Sequence, residues 1–536
     1  MRASRTGIAV LTTGLFAALL PACQQHASPG GAAAPAAAGQ EAASTAPGVA
    51  WFKGDVDAAF AEASRVNKPV FLYWGASWCP PCHELKATVF SRPDFIAKSR
   101  LFVTVYLDGD EPGAQKWGEI FKVRGYPSVV ILKPDRTELA RISGGMDLSL
   151  YGESLDLALG DVRPAQALLA ALKTSSGSLS RDDCRRLAYN AWEALDTATG
   201  AASAQRAEDL ERAAERCPVD ARLERARLTI AATSAQAAAE KDAVKARQPL
   251  SPRLKDLVGR VQSILADTEL ARGCADALES IDDSYFPAAR QAARTDATDL
   301  EHAWMTAMDA AAADPRYSEA DHLDAMITKL AAVRALDSSD AIPKELVQEA
   351  YARIDAALAR TTEEHARTSV VNSALNAFEV LGDDERASEL LKQQMAISKS
   401  PYYYMDDLAD LAEKHGHTDE AVQWFERGYR ESEGAATRFQ WGTNYVLGLL
   451  RMRPAEDERI RTAALSVLGE LDGPDRIYQR TRMRLQRLDS GLRKWSEQGG
   501  HDATIAVLRK RMDDICAKIP EGEAAHPTCA AFLHSA

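Results

Sequence analysis

The sequence predicts an α/β domain near the N-terminus, followed by a longer all-helical region. Three observations support this division. An apolar run rich in β-branched and aromatic residues, Pro69 to Trp74, leads directly into Trp78-Cys79-Pro80-Pro81-Cys82 and a helix-like stretch. After about Thr174 the two-residue alternation typical of strands disappears, and alanine-rich amphipathic segments follow one another to the C-terminus. Within this second part, several glycine and apolar positions recur after 34 residues.

The N-terminal 49 residues predict an export signal and a tether. Two arginines precede an apolar run, Ile8 to Leu20, that is too short to span a membrane. The segment Leu20-Pro21-Ala22-Cys23 resembles a bacterial lipoprotein cleavage box, which implies removal of residues 1–22 and lipidation of Cys23. Ordinary secretion is the alternative. By resemblance to known sorting rules, Gln24 favours the outer membrane. Residues 23–49 are rich in Ala, Gly, Pro and Ser, a composition that predicts a disordered tether.

Residues 50–174 are predicted to form the α/β domain. Asp55 caps a first helix that ends near Asn67, and the apolar run from Pro69 to Trp74 forms a buried central strand. From this strand onward the main elements are expected in the order strand, helix, strand, helix, strand, strand, helix, with one additional short helix after the first. They are a helix from the cysteine pair to about Phe90, a short helix Phe95 to Ser99, a strand Phe102 to Leu107, a helix Gly113 to Phe121, strands Ser128 to Leu132 and Leu139 to Ile142, and a helix 162–173. Residues 150–159 receive no assignment.

The cysteine pair has the spacing that redox chemistry needs. If a helix begins at Cys79, the sulfur of Cys79 lies beside unpaired backbone N–H groups, which lower its pKa and make it the nucleophile. Cys82 lies one turn further on the same face and can close a disulfide with Cys79, so it is the resolving thiol. Such chemistry also needs the pair at an exposed point of the surface. The sequence therefore predicts a catalytic dithiol at Cys79 and Cys82.

Four segments of this domain resemble the thioredoxin superfamily: Lys68-Pro69-Val70, Trp78-Cys79-Pro80-Pro81-Cys82, Phe90-Ser91-Arg92-Pro93 and Gly125-Tyr126-Pro127-Ser128. Their order is most similar to that in the C-terminal thioredoxin-like domains of bacterial membrane thiol:disulfide interchange proteins. The resemblance implies a thioredoxin fold in which Pro127 is a cis-proline facing the cysteines. It also implies that Trp78, Tyr126 and Pro127 bind an extended substrate segment.

The sequence departs from the family at the residues that handle protons. An acid usually lies six residues before the first cysteine in the family, but this chain has Tyr73, which cannot act as a base at neutral pH. Lys86 replaces a second acid, so Glu84 or water is left to accept the proton of Cys82. A structural zinc site and a structural disulfide are the alternative interpretations of the pair. The chain has no second Cys-x-x-Cys and no His-x-x-x-His, so we expect neither a metal nor another cofactor.

Residues 175–536 predict an all-helical, tetratricopeptide-like region. Gly382 and Gly416 are 34 residues apart, as are Ala387 and Ala421, Leu390 and Trp424, and Leu391 and Phe425. This period resembles the tetratricopeptide repeat, whose arrays usually expose a groove that binds peptide or protein. The run Tyr402-Tyr403-Tyr404 is a candidate lining of such a groove, although such a run more often packs between helices with one ring outside. An irregular helical bundle is the alternative.

Four further cysteines are predicted to form structural disulfides. Cys184 and Cys217 bracket a helical hairpin that turns near Gly200, and Cys516 and Cys529 enclose a short connection before a terminal helix. Each bridge adds about 3 kcal/mol of stability by restricting the unfolded chain. Cys274 is left as a buried free thiol.

Two functions fit these features. The first is an exported thiol:disulfide oxidoreductase that acts on protein disulfides and receives electrons from a membrane donor, with a reductive direction implied by the resemblance to the interchange proteins. The second is an envelope scaffold whose helices bind partner proteins. Both place the chain on the periplasmic side of the cell envelope, held to the outer membrane only by its lipid. The net charge of −13 and the lack of basic runs with interleaved aromatics argue against nucleic acid as a partner.

Overall fold

The structure of the protein, a computed structural model, describes residues 48–143, 148–160, 163–174, 177–192, 200–293, 297–337, 341–473 and 476–534. The predicted signal segment, Cys23 and the tether up to residue 47 lie outside the described residues. The expectations about export and lipidation therefore stay predictions. The described residues belong to one compact unit.

A four-stranded mixed sheet lies near the N-terminus. Its strands are β1 (Val70–Gly75), β2 (Val103–Asp108), β3 (Ser128–Leu132) and β4 (Glu138–Ser143), in the spatial order β2-β1-β3-β4. β1 pairs in parallel with β2, whereas the β1–β3 and β3–β4 pairs are antiparallel. All six residues of β1 are buried, which confirms the prediction of a buried central strand.

Helices cover the sheet and form the rest of the chain. Up to residue 174 they are α1 (Val56–Val66), α2 (Pro80–Leu85), α3 (Pro93–Ser99), α4 (Pro112–Ile120), α5 (Leu148–Leu159) and α6 (Ala165–Thr174). Beyond it they are α7 (Arg181–Ala188), α8 (Ala201–Arg216), α9 (Arg222–Ala239), α10 (Lys241–Lys245), α11 (Pro252–Leu265), α12 (Thr268–Gly273), α13 (Ala275–Glu279), α14 (Tyr285–Ala293), α15 (Thr298–Ala312), α16 (Glu319–Leu336), α17 (Lys344–Arg360), α18 (Glu364–Leu381), α19 (Asp384–Met395), α20 (Met405–Lys414), α21 (Thr418–Glu431), α22 (Ala435–Met452), α23 (Asp457–Gly469), α24 (Gln479–Ser496), α25 (Asp502–Cys516) and α26 (His526–Ala530). A π-helical turn, Lys86–Phe90, extends α2, and a 3₁₀ turn, Pro401–Tyr404, precedes α20.

The predicted fold class is confirmed, with a thioredoxin-like α/β part followed by an all-helical part. Local signals in the sequence explain the agreement. The Asp55 carboxylate accepts the N–H of Ala58 and caps α1, and Asn67 ends that helix in the left-handed conformation. The segment 150–159, which received no assignment, belongs to helix α5. The domain boundary at residue 174 and the repeat family of the helices stay predictions.

The helical part is built largely of hairpins. Four of them follow one another near the C-terminus: α18 with α19, α20 with α21, α22 with α23, and α24 with α25. Gly382 and Gly416 have φ angles of 72° and 74° and allow the chain to turn after the first helix of two hairpins. Among the described helices, none combines the length and the apolar character that crossing a bilayer requires.

Candidate redox site

The cysteine pair and the Tyr126-Pro127 dipeptide meet at one edge of the sheet. β1 ends at Gly75, four residues before Cys79, and β3 begins at Ser128, directly after Pro127. Because the two strands are antiparallel neighbours with Trp74 opposite Ser128, the end of β1 lies next to the start of β3. The sheet register therefore brings together two motifs that are 44 residues or more apart in the sequence.

Cys79 and Cys82 form a disulfide at the start of α2. Their Sγ atoms are 2.08 Å apart. Cys79 is the N-cap of the helix, and its Sγ accepts the backbone N–H of Cys82 at 3.2 Å. Pro80 and Pro81 occupy the first helical positions, where a missing N–H costs no helical hydrogen bond. In the reduced state this N–H can stabilise a Cys79 thiolate, as nucleophilic chemistry at Cys79 requires.

Tyr126 packs against the cysteine pair, and the peptide bond between Tyr126 and Pro127 is cis. The Tyr126 hydroxyl accepts the side-chain N–H of Gln115 at 3.0 Å and donates to the Gly109 carbonyl at 3.3 Å. A Cβ atom at Gly109 would lie 2.2 Å from the Tyr126 ring, so only glycine leaves room for the ring. Burial raises the pKa of Tyr126, which stays a neutral hydrogen-bonding group.

Trp78 also packs against the cysteine pair. Its indole N–H donates to Oδ2 of Asp110 at 3.0 Å. Asp110 follows β2, which runs parallel to β1 and therefore ends at the same edge of the sheet. Burial raises the pKa of Asp110, and the bonds from Thr437 and Trp78 partly offset this rise.

The prediction that the cysteine pair lies at an exposed point is wrong for this structure. Cys79 is 2% exposed and Cys82 is fully buried. The cause is long-range packing, because helices whose covering residues follow Cys82 by 283 to 398 residues lie over the pair. The sequence pattern around Cys79 carries no sign of these helices.

Six residues of the helical part cover the cysteine edge, and we call them the covering face. Each lies in or just before the first helix of one of the four C-terminal hairpins. They are His365, Ser369, Tyr403, Thr437, Trp441 and Arg480.

Contacts of the covering face enclose the residues next to the disulfide. Tyr403 stacks on Trp78 with ring centroids 6.0 Å apart, and Trp441 meets the same ring edge-on at 5.7 Å. The Ser369 hydroxyl donates to the Pro80 carbonyl at 3.2 Å. The position predicted to hold substrate on Trp78 is therefore filled by this chain itself.

Two histidines meet across the same boundary. Nδ1 of His83, the residue after Cys82, lies 2.6 Å from Nδ1 of His365, and Nε2 of His83 lies 2.7 Å from the Ser77 carbonyl. A carbonyl oxygen can only accept, so His83 carries its proton on Nε2 and its Nδ1 accepts from His365. Burial is the main cause of the lowered pKa of both histidines.

The two side chains considered as proton acceptors point away from Cys82. Tyr73 packs with the aromatic core on one face of the sheet, and burial raises the pKa of its hydroxyl far above neutrality. Glu84 is two residues beyond Cys82 and therefore on the opposite side of the helix. It accepts the Ser318 hydroxyl at 2.8 Å, and burial together with Asp321 and Asp324 raises its pKa well above the usual range.

The other predicted cysteine pairs also lie at bonding distance. The Sγ atoms of Cys184 and Cys217 are 2.17 Å apart, and those of Cys516 and Cys529 are 1.97 Å apart. Cys274 is a buried free thiol beside the ion pair of Arg227 and Asp276.

Within the described ranges, no group of three or more histidine, cysteine, aspartate or glutamate side chains is arranged to hold a metal ion. Sequence reasoning missed Asp110, Gln115 and five of the six residues of the covering face. The polar ending of β2, Asp108-Gly109-Asp110, could have indicated Asp110, because parallel strands end at one edge. Tyr403 was noticed in the tyrosine run, as part of a candidate groove.

Comparisons with known proteins agree with this geometry. Residues 50–134 match a family model described as thioredoxin-like. The Thiol:disulfide interchange protein DsbD 1 of Pseudomonas aeruginosa is 29% identical over 104 residues. The match covers 19% of this chain and only 18% of that protein. Residues 50–134, which contain the Cys79–Cys82 pair and the Tyr126-Pro127 dipeptide, therefore form a thioredoxin-like domain.

Proposed function

We propose that the chain is an exported thiol:disulfide oxidoreductase that reduces protein disulfides through Cys79 and Cys82. The observation that supports this most is the position of the disulfide at the N-terminal end of α2, packed against Tyr126 of the cis Tyr126-Pro127 bond. Similarity to part of a thiol:disulfide interchange protein supports the same chemistry.

The reaction has two exchange steps. The Cys79 thiolate attacks one sulfur of a substrate disulfide, so that a mixed disulfide forms and one substrate thiolate leaves. The Cys82 thiolate then attacks Sγ of Cys79 and releases the second substrate thiolate. Two electrons pass to the substrate, the protons of Cys79 and Cys82 balance the two released thiolates, and the Cys79–Cys82 disulfide remains. A membrane-bound dithiol donor restores the reduced pair by the reverse exchange.

Substrate contacts follow from the same edge. Trp78, Tyr126 and Pro127 would hold an extended segment of the substrate protein beside Cys79 once the covering face has moved away. The Gln115 bond keeps the Tyr126 ring in place for this contact. The face released by opening carries two aromatic rings and Arg480 and is a candidate surface for a client protein.

Trapping experiments test the proposal on the full chain. A Cys82→Ser variant should accumulate mixed disulfides with substrate proteins, because the resolving thiol is missing. A Cys79→Ser variant should form none and should lose disulfide reductase activity. The matched control removes the pair Cys516 and Cys529, which are also two cysteines but lie in the C-terminal helices, and it should keep the activity. Equal trapping by both serine variants would contradict the assigned roles, and a reduction potential near −120 mV, typical of a strong oxidant, would reverse the proposed direction.

Export and anchoring belong to the same proposal. The lipoprotein box at Leu20 to Cys23 supports lipidation of Cys23 on the periplasmic side, and Gln24 supports sorting to the outer membrane. Metabolic labelling with a fatty acid should mark the parent chain and not a Cys23→Ser variant, and fractionation should recover the label with outer membranes. Label in both variants would exclude Cys23 as the anchor.

The complete burial of the dithiol favours a second candidate, an envelope scaffold in which the helical part binds partners and the α/β part is an accessory. A Cys79→Ser/Cys82→Ser double variant separates the two candidates. Rescue of a deletion strain by this variant would support the scaffold, and failure of rescue with normal protein levels would support the oxidoreductase.

A further inference from the structure

The covering face closes the cysteine edge on several sides. Ser369 lies over α2, Tyr403 and Trp441 lie over Trp78, and Thr437 donates a hydrogen bond to Asp110. These residues come from three different hairpins. The closure is therefore a property of the array of hairpins and not of one loop.

The aromatic contacts fill the place of a substrate segment. Trp78, Tyr403 and Trp441 form one cluster in which each ring contacts the other two. The indole N–H of Trp441 donates to the Tyr402 carbonyl at 3.0 Å. The Arg480 guanidinium lies 5.4 Å from the Trp78 ring and 4.7 Å from the Tyr126 ring, within the range of cation–π attraction. A second peptide cannot occupy this space at the same time.

Polar contacts flank the aromatic ones. Glu119 of α4 accepts Nη1 of Arg482 at 2.8 Å and the backbone N–H of Gln479 at 3.1 Å. The side chains of Glu119 and Arg482 are only 22% and 17% exposed, so solvent screens this ion pair weakly. Gly434 lies against Asp110 so closely that a Cβ atom there would be 2.6 Å from Cβ of Asp110.

The boundary has the character of a contact that can open. Its aromatic rings are accompanied by an ion pair, hydroxyl groups and imidazoles, all of which water can satisfy after separation. Contacts of this polar kind are typical of domains that move relative to each other. Thiol exchange in turn requires a substrate sulfur to approach Sγ of Cys79 closely, which the buried Cys79 does not permit in this arrangement.

We propose that the helical part is an autoinhibitory lid on the dithiol of its own chain. In the resting form the covering face occupies the substrate position on Trp78 and Tyr126, and a protein disulfide reaches Cys79 only after the face has separated from them. The role of the lid in regulation rests on the proposed oxidoreductase function. Closure of the lid can be measured by the accessibility of Cys79, which requires no disulfide reductase activity.

Labelling of Cys79 tests the lid in the full chain. In a Cys82→Ser background Cys79 has lost its partner in the chain, and the fraction that carries no mixed disulfide is separated by mass without added reductant, so the two remaining disulfides stay intact. A small reagent, iodoacetamide, and a bulky one, a poly(ethylene glycol) maleimide of several kilodaltons, are compared, and mass spectrometry of peptides locates the label. We expect slow labelling by the bulky reagent in the folded chain and fast labelling in denaturant.

Charge reversal at the flank should open the lid. Arg482→Glu places like charges beside Glu119, and labelling of Cys79 by the bulky reagent should accelerate by about tenfold or more. Glu119→Arg should act in the same direction. The double variant Glu119→Arg/Arg482→Glu restores an ion pair and should return the rate toward that of the parent. Rates that are equal in all four proteins would overturn the proposal.

Two glycines provide a matched pair that does not rely on charge. Gly434→Ala should also speed labelling, because the new methyl group meets Asp110 at the boundary. Gly416 has a φ of 74°, close to the 76° of Gly434, so alanine meets the same backbone strain at both positions. A methyl group at position 416 has no atom within 4 Å, so Gly416→Ala should leave the labelling rate unchanged. Similar circular dichroism spectra would show that both fold, and equal acceleration by both would contradict the lid.

The two proposals fail separately. A parent chain that the bulky reagent labels as fast as a denatured one has no lid, whatever its activity. A chain that labels as expected, but whose Arg482→Glu variant with both cysteines intact reduces no protein disulfide, has a lid and is not the proposed reductase.

Discussion

His365 donates its Nδ1–H to Nδ1 of His83 across the closed boundary, over a distance of 2.6 Å. Since Nε2 of His83 is committed to the Ser77 carbonyl, a second proton between the rings would place two N–H groups against each other. The closed form therefore holds the pair with a single proton between the two Nδ1 atoms. This residue pair connects the position after Cys82 with the first turn of α18.

The first prediction concerns pH. In the closed form, burial lowers the pKa of both histidines from the ordinary 6.5, and in the opened form both regain ordinary values. The pair therefore stabilises closure fully above about pH 6.5. This stabilisation is lost as the pH falls through the lowered pKa values, because protons then bind the opened form more tightly. Lys86 and Lys399 add to this lowering, whereas Glu364 opposes it. The rate at which the bulky reagent labels Cys79 is divided by its rate with a free thiol at the same pH. This ratio should rise as the pH is lowered from about 7.5 to 5.5, by several-fold more in the parent than in His365→Gln.

The raised pKa values of Glu84 and Asp110 act in the opposite direction, because a group with a raised pKa stabilises the closed form more as the pH falls. A Glu84→Gln variant should therefore show a larger acid response than the parent. Identical pH profiles for the parent and His365→Gln would exclude the histidine pair as a sensor.

The second prediction concerns Tyr73. Its buried hydroxyl has no hydrogen-bond partner among the described residues. Tyr73→Phe should leave the free energy of unfolding unchanged or raise it by up to about 1 kcal/mol, since no bond is lost. The pH dependence of Cys82 alkylation, measured in a Cys79→Ser background, should be the same with Tyr73 and with phenylalanine. A shifted profile would assign Tyr73 a part in proton transfer.

The third prediction concerns the bridge between Cys184 and Cys217. It closes a longer loop than the bridge between Cys516 and Cys529, with sequence separations of 33 and 13 residues. Paired alanine substitutions should lower the free energy of unfolding by about 3.7 and about 2.9 kcal/mol, respectively, if restriction of the unfolded chain dominates. Chemical denaturation under non-reducing conditions measures both. The reverse order would show that native packing around the bridges outweighs chain entropy.

The fourth prediction compares two helical glycines. A Cβ atom at Gly442 of α22 would lie 2.5 Å from Val467, whereas one at Gly259 of α11 would meet nothing within 4 Å. Gly442→Ala should destabilise the protein by about 1–3 kcal/mol through overpacking. Gly259→Ala should stabilise it by about 0.5–1 kcal/mol because alanine favours the helix. Thermal unfolding of both variants checks the opposite signs.

Much of the α/β part could be predicted because its signals are local. A continuous apolar run defines β1, Asp55 begins α1, and the prolines after Cys79 allow that residue to cap α2. The sheet then fixes where the motifs meet. Once β1 and β3 are neighbours, Cys79 and Tyr126 must share an edge.

The cover of the site could not be predicted, because it depends on pairings at very long range. His83 and His365 are 282 residues apart. The amphipathic pattern of α18 indicates that one face of this helix is buried, but it does not indicate which part of the chain packs against that face. The tyrosine run shows the same limit. Helix packing was the expected role of this run, with a groove for another protein as the alternative, and Tyr402 and Tyr404 are indeed buried. The sequence did not indicate that Tyr403 packs on Trp78 of the same chain.

Chain order gives the cover a consequence for biogenesis. The residues that close over Cys79 come from positions 365 to 480, so they are synthesised, and under the proposed export also translocated, long after the cysteines themselves. A domain generally folds as soon as its own segment is available. Under the proposed export, the dithiol passes through an interval in which periplasmic oxidants reach it freely. Each newly made molecule would then close with the disulfide already formed, and the proposed oxidoreductase would have to be opened and reduced before its first turnover.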